Sequence, residues 1–360
     1  MSRPESTYVS RIADLSLADR PRAGGKSASL GELTRAGVDV PQGFVVLTPS
    51  FEEFLRASGA GPEIREEIAS LDLNDTDEVT AASRRIRERI HGHSVPADVK
   101  VAILSGYREM SSNGAGCPVA VRSSATCEDS ESASFAGLQD TYLWVRGEDE
   151  LIERVRDCWA SIYNSESITY RRRLDLPEEQ IAMAVVVQQM VDAVCAGVMF
   201  TRSPTTGDRS VVVIEGSWGL GSSLVSGEVT PDHFVVNKVT GEIVRRDISD
   251  KEIEHLADPS GNGVRETAVA DERRRVPCLS DEAIGELWRL ARTIERHYAA
   301  PQDIEWAIWR DPETGEQEVR ILQSRPETVW ASRDVEPAAK PAAKAFDHVL
   351  DLLSARKKRT

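Results

Sequence analysis

The stretch that most constrains this chain is residues 118–147, PVAVRSSATCEDSESASFAGLQDTYLWVRG. Val119, Ala120 and Val121 read as a buried strand, which breaks at Arg122 into Ser123, Ser124, Ala125 and Thr126. Small residues of this kind leave backbone amides uncovered, and Gly137 lets a loop come close to a ligand. Residues 141–145 read as a returning strand. One arginine delivered to the mouth of a small-residue loop suits phosphate. Its guanidinium stays charged and binds oxygens two at a time, and bare amides add partial positive charge. On this segment alone, the alternative is a Ser-rich surface loop beside a structural arginine.

At 360 residues the chain has room for two or three domains with real cores. Forty-four Lys and Arg against 59 Asp and Glu give a net charge of −15. That balance argues against a general nucleic-acid binder, which would be basic. It leaves a nucleotide open, because a few local cations decide that. The five cysteines (Cys117, Cys127, Cys158, Cys195 and Cys278) form no CxxC pair and no Cys/His ligand spacing, so neither a disulfide framework nor a zinc site is indicated. The amino-terminal residues lack the apolar core of a signal peptide. No run of about 18 apolar residues is present. A cytoplasmic protein is expected.

In chain order, Gly24 and Gly25 read as a flexible turn, followed by Lys26, a helix over 27–36 and a strand over 43–48. GGKS is not a P-loop: that motif needs a glycine where Arg20 stands, and no strand leads into it. A lysine behind two glycines at a helix start still reaches phosphate, or is simply a solvated surface lysine. Residues 50–112 read as helices, interrupted near 72–77 and 91–96. Apolar positions at helical spacing predict one long helix over 148–174. Residues 184–190 and 196–201 are apolar and β-branched and read as a hairpin turning at Asp192. Further strands are expected at 211–215 and 234–237, flanking GSWGLGSSLVSG, with a hairpin and surface excursion over 239–278. A helix follows over 280–298. Strands over 304–309 and 319–323, joined by a turn at 313–315, close the pattern. VEPAAKPAAK then reads as a linker, and Phe346, Val349, Leu350 and Leu353 as one face of a short helix.

Asp303 and Glu305 stand two apart on a strand and share a face. If the next strand is the hairpin partner, Gln323 lies near Glu305, and Arg325 projects on the same side as Gln323. A Glu and a Gln on adjacent strands suit Mg²⁺, which takes hard oxygens and usually only one or two of them from protein. Arg325 would then meet a transferring phosphoryl group. The alternative is an ordinary charged hairpin.

Five blocks stand in a fixed order: GGKSASLGEL with GVDVPQGFVV; VAVRSSATCEDSESASFAGLQDTY; QQMV with AGVMFTRSP; EGSWGLGSSLVSGEVTPDHF; and DIEWAIW with ILQSRPETV. Together they resemble the ATP-binding domain of the phosphoenolpyruvate synthase and pyruvate phosphate dikinase family, over roughly residues 14–330. The resemblance implies an α+β, ATP-grasp-like fold in which two subdomains, 1–183 and 184–330, clasp ATP, with 331–360 as linker and short helix. It implies that Lys26 and Arg122 bind phosphate and that Gly137 and Thr141 lie in a loop covering the triphosphate. Gln188, Gln189, Met190 and Val191 would form the strand whose backbone meets adenine, with Glu215 near the nucleotide. Glu305 and Gln323 would be the Mg²⁺ ligands, Arg325 the catalytic arginine and Asp303 a matching acidic position. Ser222 departs from the pattern, which commonly has an acid after WGLG.

Family enzymes pass a phosphoryl group from ATP to a histidine on a mobile domain, in a Ser/Thr-rich, glycine-preceded motif. None of His91, His93, His233, His255, His297 and His348 has that context, and no barrel-like second half follows. The expectation is therefore the ATP-binding subunit of a split phosphotransferase. A partner subunit would carry the phosphohistidine and the acceptor site. This resembles systems such as phenylphosphate synthase and the cresol-phosphorylating enzymes, in which ATP yields AMP, phosphate and an aryl or benzyl phosphate. Two other classes stand beside it. One is a self-contained ATP-grasp ligase, releasing ADP. The other is a non-catalytic nucleotide-binding module.

Overall fold

Alternating apolar and polar residues along the strands build two separate sheets, each covered by helices. The computed structural model describes residues 7–111, 116–126, 140–261, 263–311 and 314–330. The first sheet contains β1 (Val9–Arg11), β2 (Gly43–Val46), β3 (Val119–Ala125), β4 (Thr141–Val145) and β5 (Met183–Gln189), in the order β1-β2-β5-β3-β4. Its helices are α1 (Arg20–Arg35), α2 (Thr48–Ser58), α3 (Ala60–Ser70), α4 (Thr76–His91), α5 (Ala97–Met110), α6 (Glu148–Ser161) and α7 (Ser165–Arg173). The second sheet contains β6 (Ala193–Phe200), β7 (Val211–Trp218), β8 (Asp232–Asn237), β9 (Ile243–Asp247), β12 (Gln302–Arg310) and β13 (Gln317–Pro326), in the order β13-β12-β6-β7-β8-β9. A small pair, β10 (Ile253–Ala257) and β11 (Val264–Ala268), stands apart. The short helices α8 (Ser222–Val225) and α9 (Asp271–Arg274) and the long α10 (Asp281–Tyr298) complete the chain.

Period-two alternation decides which core each strand feeds. Val46, Val185 and Val187 face Phe51, Phe54, Ile86 and Trp159 on one side of the first sheet. Val45, Ala184 and Val186 face Ile12, Leu15, Ala23 and Leu30 on the other, beneath α1. In the second sheet Ile304, Trp306, Ile308, Ile214 and Phe234 pack on Ile284, Leu287, Ala291 and Ile294 of α10. Leu33 and Val38 join that second core although Leu30 belongs to the first. Helix α1 thus ties the two layers together, and Ser29 Oγ fastens it further by donating to the Ser324 carbonyl at 2.7 Å.

The α+β expectation holds, and the β12–β13 hairpin is present with Glu305 opposite Gln323. Three local readings are corrected. Residues 184–190 and 196–201 are not a hairpin: β5 pairs with β2 and β3, whereas β6 pairs with β7 and β12, so the chain changes sheets over residues 190–192. The division set at residue 183 falls at the first residue of β5. The long helix over 148–174 is two helices, broken where Asn164 adopts an extended conformation ahead of α7. Ser123–Thr126 is not an open nest of amides. Ser123, Ser124 and Ala125 continue β3 against β5, and the Ser123 and Thr126 amides donate to the Asp140 and Ala182 carbonyls. Small residues are needed there for a different reason: α1 comes so close that a Cβ on Gly24 would lie 2.1 Å from the Ser124 carbonyl oxygen. Among the described residues, no helix is long and apolar enough to cross a membrane. Gly137 and the tail face of Phe346, Val349, Leu350 and Leu353 lie outside the described residues.

Candidate functional site

The cleft begins where β3 turns its one charged side chain toward the second sheet. Arg122 Nη2 donates to Glu305 Oε2 at 2.7 Å and to Gln323 Oε1 at 2.8 Å, and Nη1 donates to the Leu322 carbonyl at 3.3 Å. That carbonyl is available because pairing steps from Glu305↔Gln323 to Trp306↔Ile321, leaving Leu322 as an extra residue on β13. A bulge of this kind re-aims the backbone. Sequence reasoning missed Leu322, since nothing in its identity marks a bulge.

Lys26 enters from α1, which is fastened to Ser124, two residues along β3 from Arg122. Helix α1 is interrupted at Gly24, whose φ of +76° suits glycine. Ser124 Oγ donates to the Ala23 carbonyl and accepts from the Ser27 amide, holding the restart of the helix on β3. Lys26, in that restart, places Nζ 3.2 Å from the Ser123 carbonyl, one residue from Arg122. Thr141, exposed on β4, is the direct cross-strand neighbour of Arg122.

On the second sheet Asp303 and Glu305 share the cleft face while Ile304 and Trp306 fill the core. Arg325 lies opposite Asp303 in the register, with Nε 3.4 Å from Oδ2. Glu215 reaches the same face by another path. Glu305 is opposite Val198, and Val198 is opposite Glu215, so the two glutamates stand two strands apart in one cross-strand row, about 10 Å at the usual strand spacing.

Burial pushes the Glu305 carboxyl up, but Arg122, with its charge and hydrogen bond, outweighs that together with Lys26 and Arg325, and the group titrates below its ordinary range. Three cations from far-apart segments therefore act on one carboxylate. The Glu305 and Gln323 oxygens also meet at a single Arg122 nitrogen. Two hard oxygens converging on one point is the donor set a magnesium ion takes when phosphate and water supply the rest. Among the described residues no cluster of three or more His, Cys, Asp or Glu is placed to hold a metal.

The expected adenine strand lies at the edge of this cleft. Gln188 is buried and its amide donates to the Pro41 carbonyl at 3.4 Å, while the Gln189 and Met190 amides donate to the Gln42 and Pro118 carbonyls. Met190 and Val191 pack against an apolar cluster of Trp144, Ala193, Ala196, Leu220 and Ala307. Ser222, the departure after WGLG, bonds His255 Nδ1 at 2.8 Å, and His255 Nε2 lies 3.2 Å from Glu228.

Two sheets meet at a cleft lined by convergent cations and by carboxylate and amide oxygens. The family described as pyruvate phosphate dikinase, AMP/ATP-binding domain, matches residues 20–345, and the chain belongs to it. A probable phosphoenolpyruvate synthase of Methanothermobacter thermautotrophicus is 41% identical over 335 residues, 92% of this chain and 48% of that one. The phosphoenolpyruvate synthase of Aeropyrum pernix is 40% identical over 89% of this chain and 42% of that one. A rifampicin phosphotransferase of Streptomyces sp is 39% identical over 88% of this chain and 35% of that one. The chain thus spans less than half the length of these curated relatives. Among solved structures, a dinucleotide-forming acetyl-coenzyme A synthetase 1 of Ca. Korarchaeum cryptofilum aligns at 12% identity and TM-score 0.34, over 68% of this chain and 90% of that one.

Proposed function

We propose that this chain is the nucleotide-loading subunit of a split, dikinase-type phosphotransferase. It passes a phosphoryl group from ATP to a histidine on a partner subunit. That histidine then phosphorylates an acceptor, an aromatic alcohol or phenol in our reading, with AMP and phosphate released. The observation that carries the proposal is the contact of Arg122 on β3 with Glu305 and Gln323 on β12 and β13. It joins the two halves of the clasp at one point.

Phosphoryl transfer asks a protein mainly for positioning and charge neutralisation. Lys26 and Arg122 hold the phosphate oxygens, and Arg325 meets the transferring group. Glu305 and Gln323 would hold magnesium, which when bound supplies further neutralisation of phosphate charge. Asp303 orients Arg325 through their ion pair. Thr141, beside Arg122 on β4, covers the triphosphate. Residues 188–191 border the base, and Glu215 lies beyond them on the second sheet. Arg122 acts as the resident cation of the two oxygen ligands, and it turns to phosphate as the nucleotide enters.

The histidines support a partner. His91 faces Asp157, His233 faces Asp247, His255 is held by Ser222 and Glu228, and His297 bonds Glu32. None of these four pairings leads to the Arg122 cluster, which favours an accepting imidazole supplied by a partner. Reconstitution tests this. AMP is expected to form at a full rate only when a chain bearing an acceptor histidine is added. Full-rate AMP formation by this chain alone would remove the split reading.

A further inference from the structure

Helix α1 carries Lys26, Ser29 and Glu32 at steps of three, which places them along one broad side of the helix. Lys26 reaches the Ser123 carbonyl, Ser29 Oγ donates to the Ser324 carbonyl at 2.7 Å, and Glu32 Oε1 lies 2.7 Å from His297 Nε2 near the end of α10. The helix itself is seated in the first half of the clasp. A Cβ on Gly31 would come within 2.5 Å of the Leu15 carbonyl oxygen, a second close approach besides that of Gly24 to Ser124. Helix α1 is thus fixed on one half and presents Ser29 to the other.

The place that Ser29 holds gives the contact a use. Ser324 stands between Gln323 and Arg325 on β13, the outer strand of its sheet. An outer strand leaves part of its backbone without a neighbouring strand to bond. The Leu322 and Ser324 carbonyls, two residues apart, are both met by side chains of the first half: Arg122 Nη1 at 3.3 Å and Ser29 Oγ. Ser324 is also held through its own hydroxyl, which donates to Gln302 Oε1 at 2.8 Å. Ser29 spends its one proton on the Ser324 carbonyl, so at its 3.2 Å contact with the Tyr298 hydroxyl it accepts. Ser29 is 9% exposed and Ser324 3%, which leaves water little room to replace these bonds.

We propose that Ser29 is a positioning residue of the phosphoryl site. Its hydroxyl sets the spacing between Lys26 on one half of the clasp and Gln323 and Arg325 on the other, so that both halves meet one triphosphate. It touches no substrate itself. Arg122 leaves the β13 edge as it turns to phosphate, whereas Ser29 keeps its hold. Small misplacements of groups that act together are costly in such a site. This inference rests on the ATP-site reading above, and the experiment separates the two.

Calorimetry measures binding of ATP with Mg²⁺, and of AMP, to the wild-type chain and to Ser29→Ala, Ser29→Thr, Tyr298→Phe, Arg325→Ala and the Ser29→Ala/Arg325→Ala double variant. AMP, with one phosphate, does not draw on the spacing between the two halves. Ser29→Ala is expected to weaken ATP by about 5- to 10-fold, the size of one lost hydrogen bond, and to leave AMP unchanged. Ser29→Thr keeps the hydroxyl and should recover most of the loss. Tyr298→Phe removes only the hydroxyl that supports Ser29, and should lose about 2-fold in ATP alone. Ser29→Ala should lose most of its effect where Arg325 is already alanine, because residues acting as a unit are not additive. A merely structural role would weaken both ligands alike and add in full to Arg325→Ala. Either of those results, or an unchanged ATP affinity in Ser29→Ala, overturns the inference and leaves the ATP site standing. If Ser29→Ala does not fold, Tyr298→Phe decides: equal losses of ATP and AMP, or no loss of ATP, overturn it. If the wild-type chain binds no ATP, the ATP-site reading falls and this inference with it.

Discussion

Arg171 and Arg122 are both largely enclosed, and they are used in opposite ways. Arg171 on α7 is fully buried and completes its hydrogen bonds within its own neighbourhood. Nη1 donates to the Ile162 carbonyl and to Ser167 Oγ, and both Nε and Nη2 face Glu178 at 3.3 Å. The Tyr163 ring lies under the guanidinium, 5.7 Å from its centroid. Arg122 is nearly as enclosed, but its partners lie 183 and 201 residues away on another sheet, and its Nε is buried without a partner. Its ion-pair partner Glu305 keeps 35% of its side chain exposed, whereas Glu178 keeps 12%. Arg171 is held by groups with no other use. Arg122 is held by two oxygens that would otherwise suit a cation, at a place solvent still reaches. The first is a closed structural contact and the second is an exchangeable one.

The sharpest way to break that comparison is to truncate both. Arg122→Ala is expected to abolish phosphoryl transfer, a loss on the order of 10³-fold or more, with the melting temperature little changed. Arg325→Ala should do the same, because its guanidinium is 42% exposed and is tied only at the edge of the sheet. Single-turnover assays with thermal melts of both variants check this. Wild-type-like transfer in both would discredit the site. Arg171→Ala should reverse the pattern. Removing one partner of a buried pair typically costs about 3–5 kcal/mol, so folding should suffer while nucleotide affinity in the surviving folded fraction stays near normal. Urea denaturation with parallel nucleotide titration separates the two. If Arg171→Ala left stability intact and lost affinity, the division into closed and exchangeable arginines would be wrong.

Sequence revealed one half of this contrast better than the other. Asp303, Glu305, Gln323 and Arg325 were legible as a group because a hairpin with a short turn places residues by counting alone. Arg122 was legible as a phosphate candidate, but only the family resemblance set it in one site with Glu305 and Gln323, since contacts across 183 residues leave no local trace. The same limit explains β5 and β6. Two apolar, β-branched runs joined by a short link satisfy every local rule for a hairpin, and only long-range pairing of β5 with β2 and β3 overrides it. Ser123 and Ser124 misled for a packing reason: their small size serves the close approach of Gly24 rather than an open anion nest. The break ahead of α7 did carry a signal, Asn164 followed by Ser165, which favours a helix start. Trp144 carried none, because nothing in the strand pattern announces a left-handed tryptophan.

A subtler way to sharpen the comparison uses pH, and here the expected effect is smallest. Burial pushes Glu305 up, but Arg122, Lys26 and Arg325 bring it below its ordinary range in the folded protein. A depressed folded-state value means the ionised group stabilises the fold above the unfolded value, about 4.3 for glutamate, and that this stabilisation is lost as pH falls through the lower folded value. Glu305→Gln removes the titration. The difference in melting temperature between wild type and Glu305→Gln should therefore be constant above about pH 5. It should shrink steadily on acidification below the ordinary glutamate range. Melts of both proteins between about pH 3 and pH 7 would read it directly. A difference that widens in acid would show that the folded chain binds the Glu305 proton more tightly than the unfolded one. In that case the cations of the cleft do not govern this carboxylate, and Arg122 would belong with Arg171 as a structural residue.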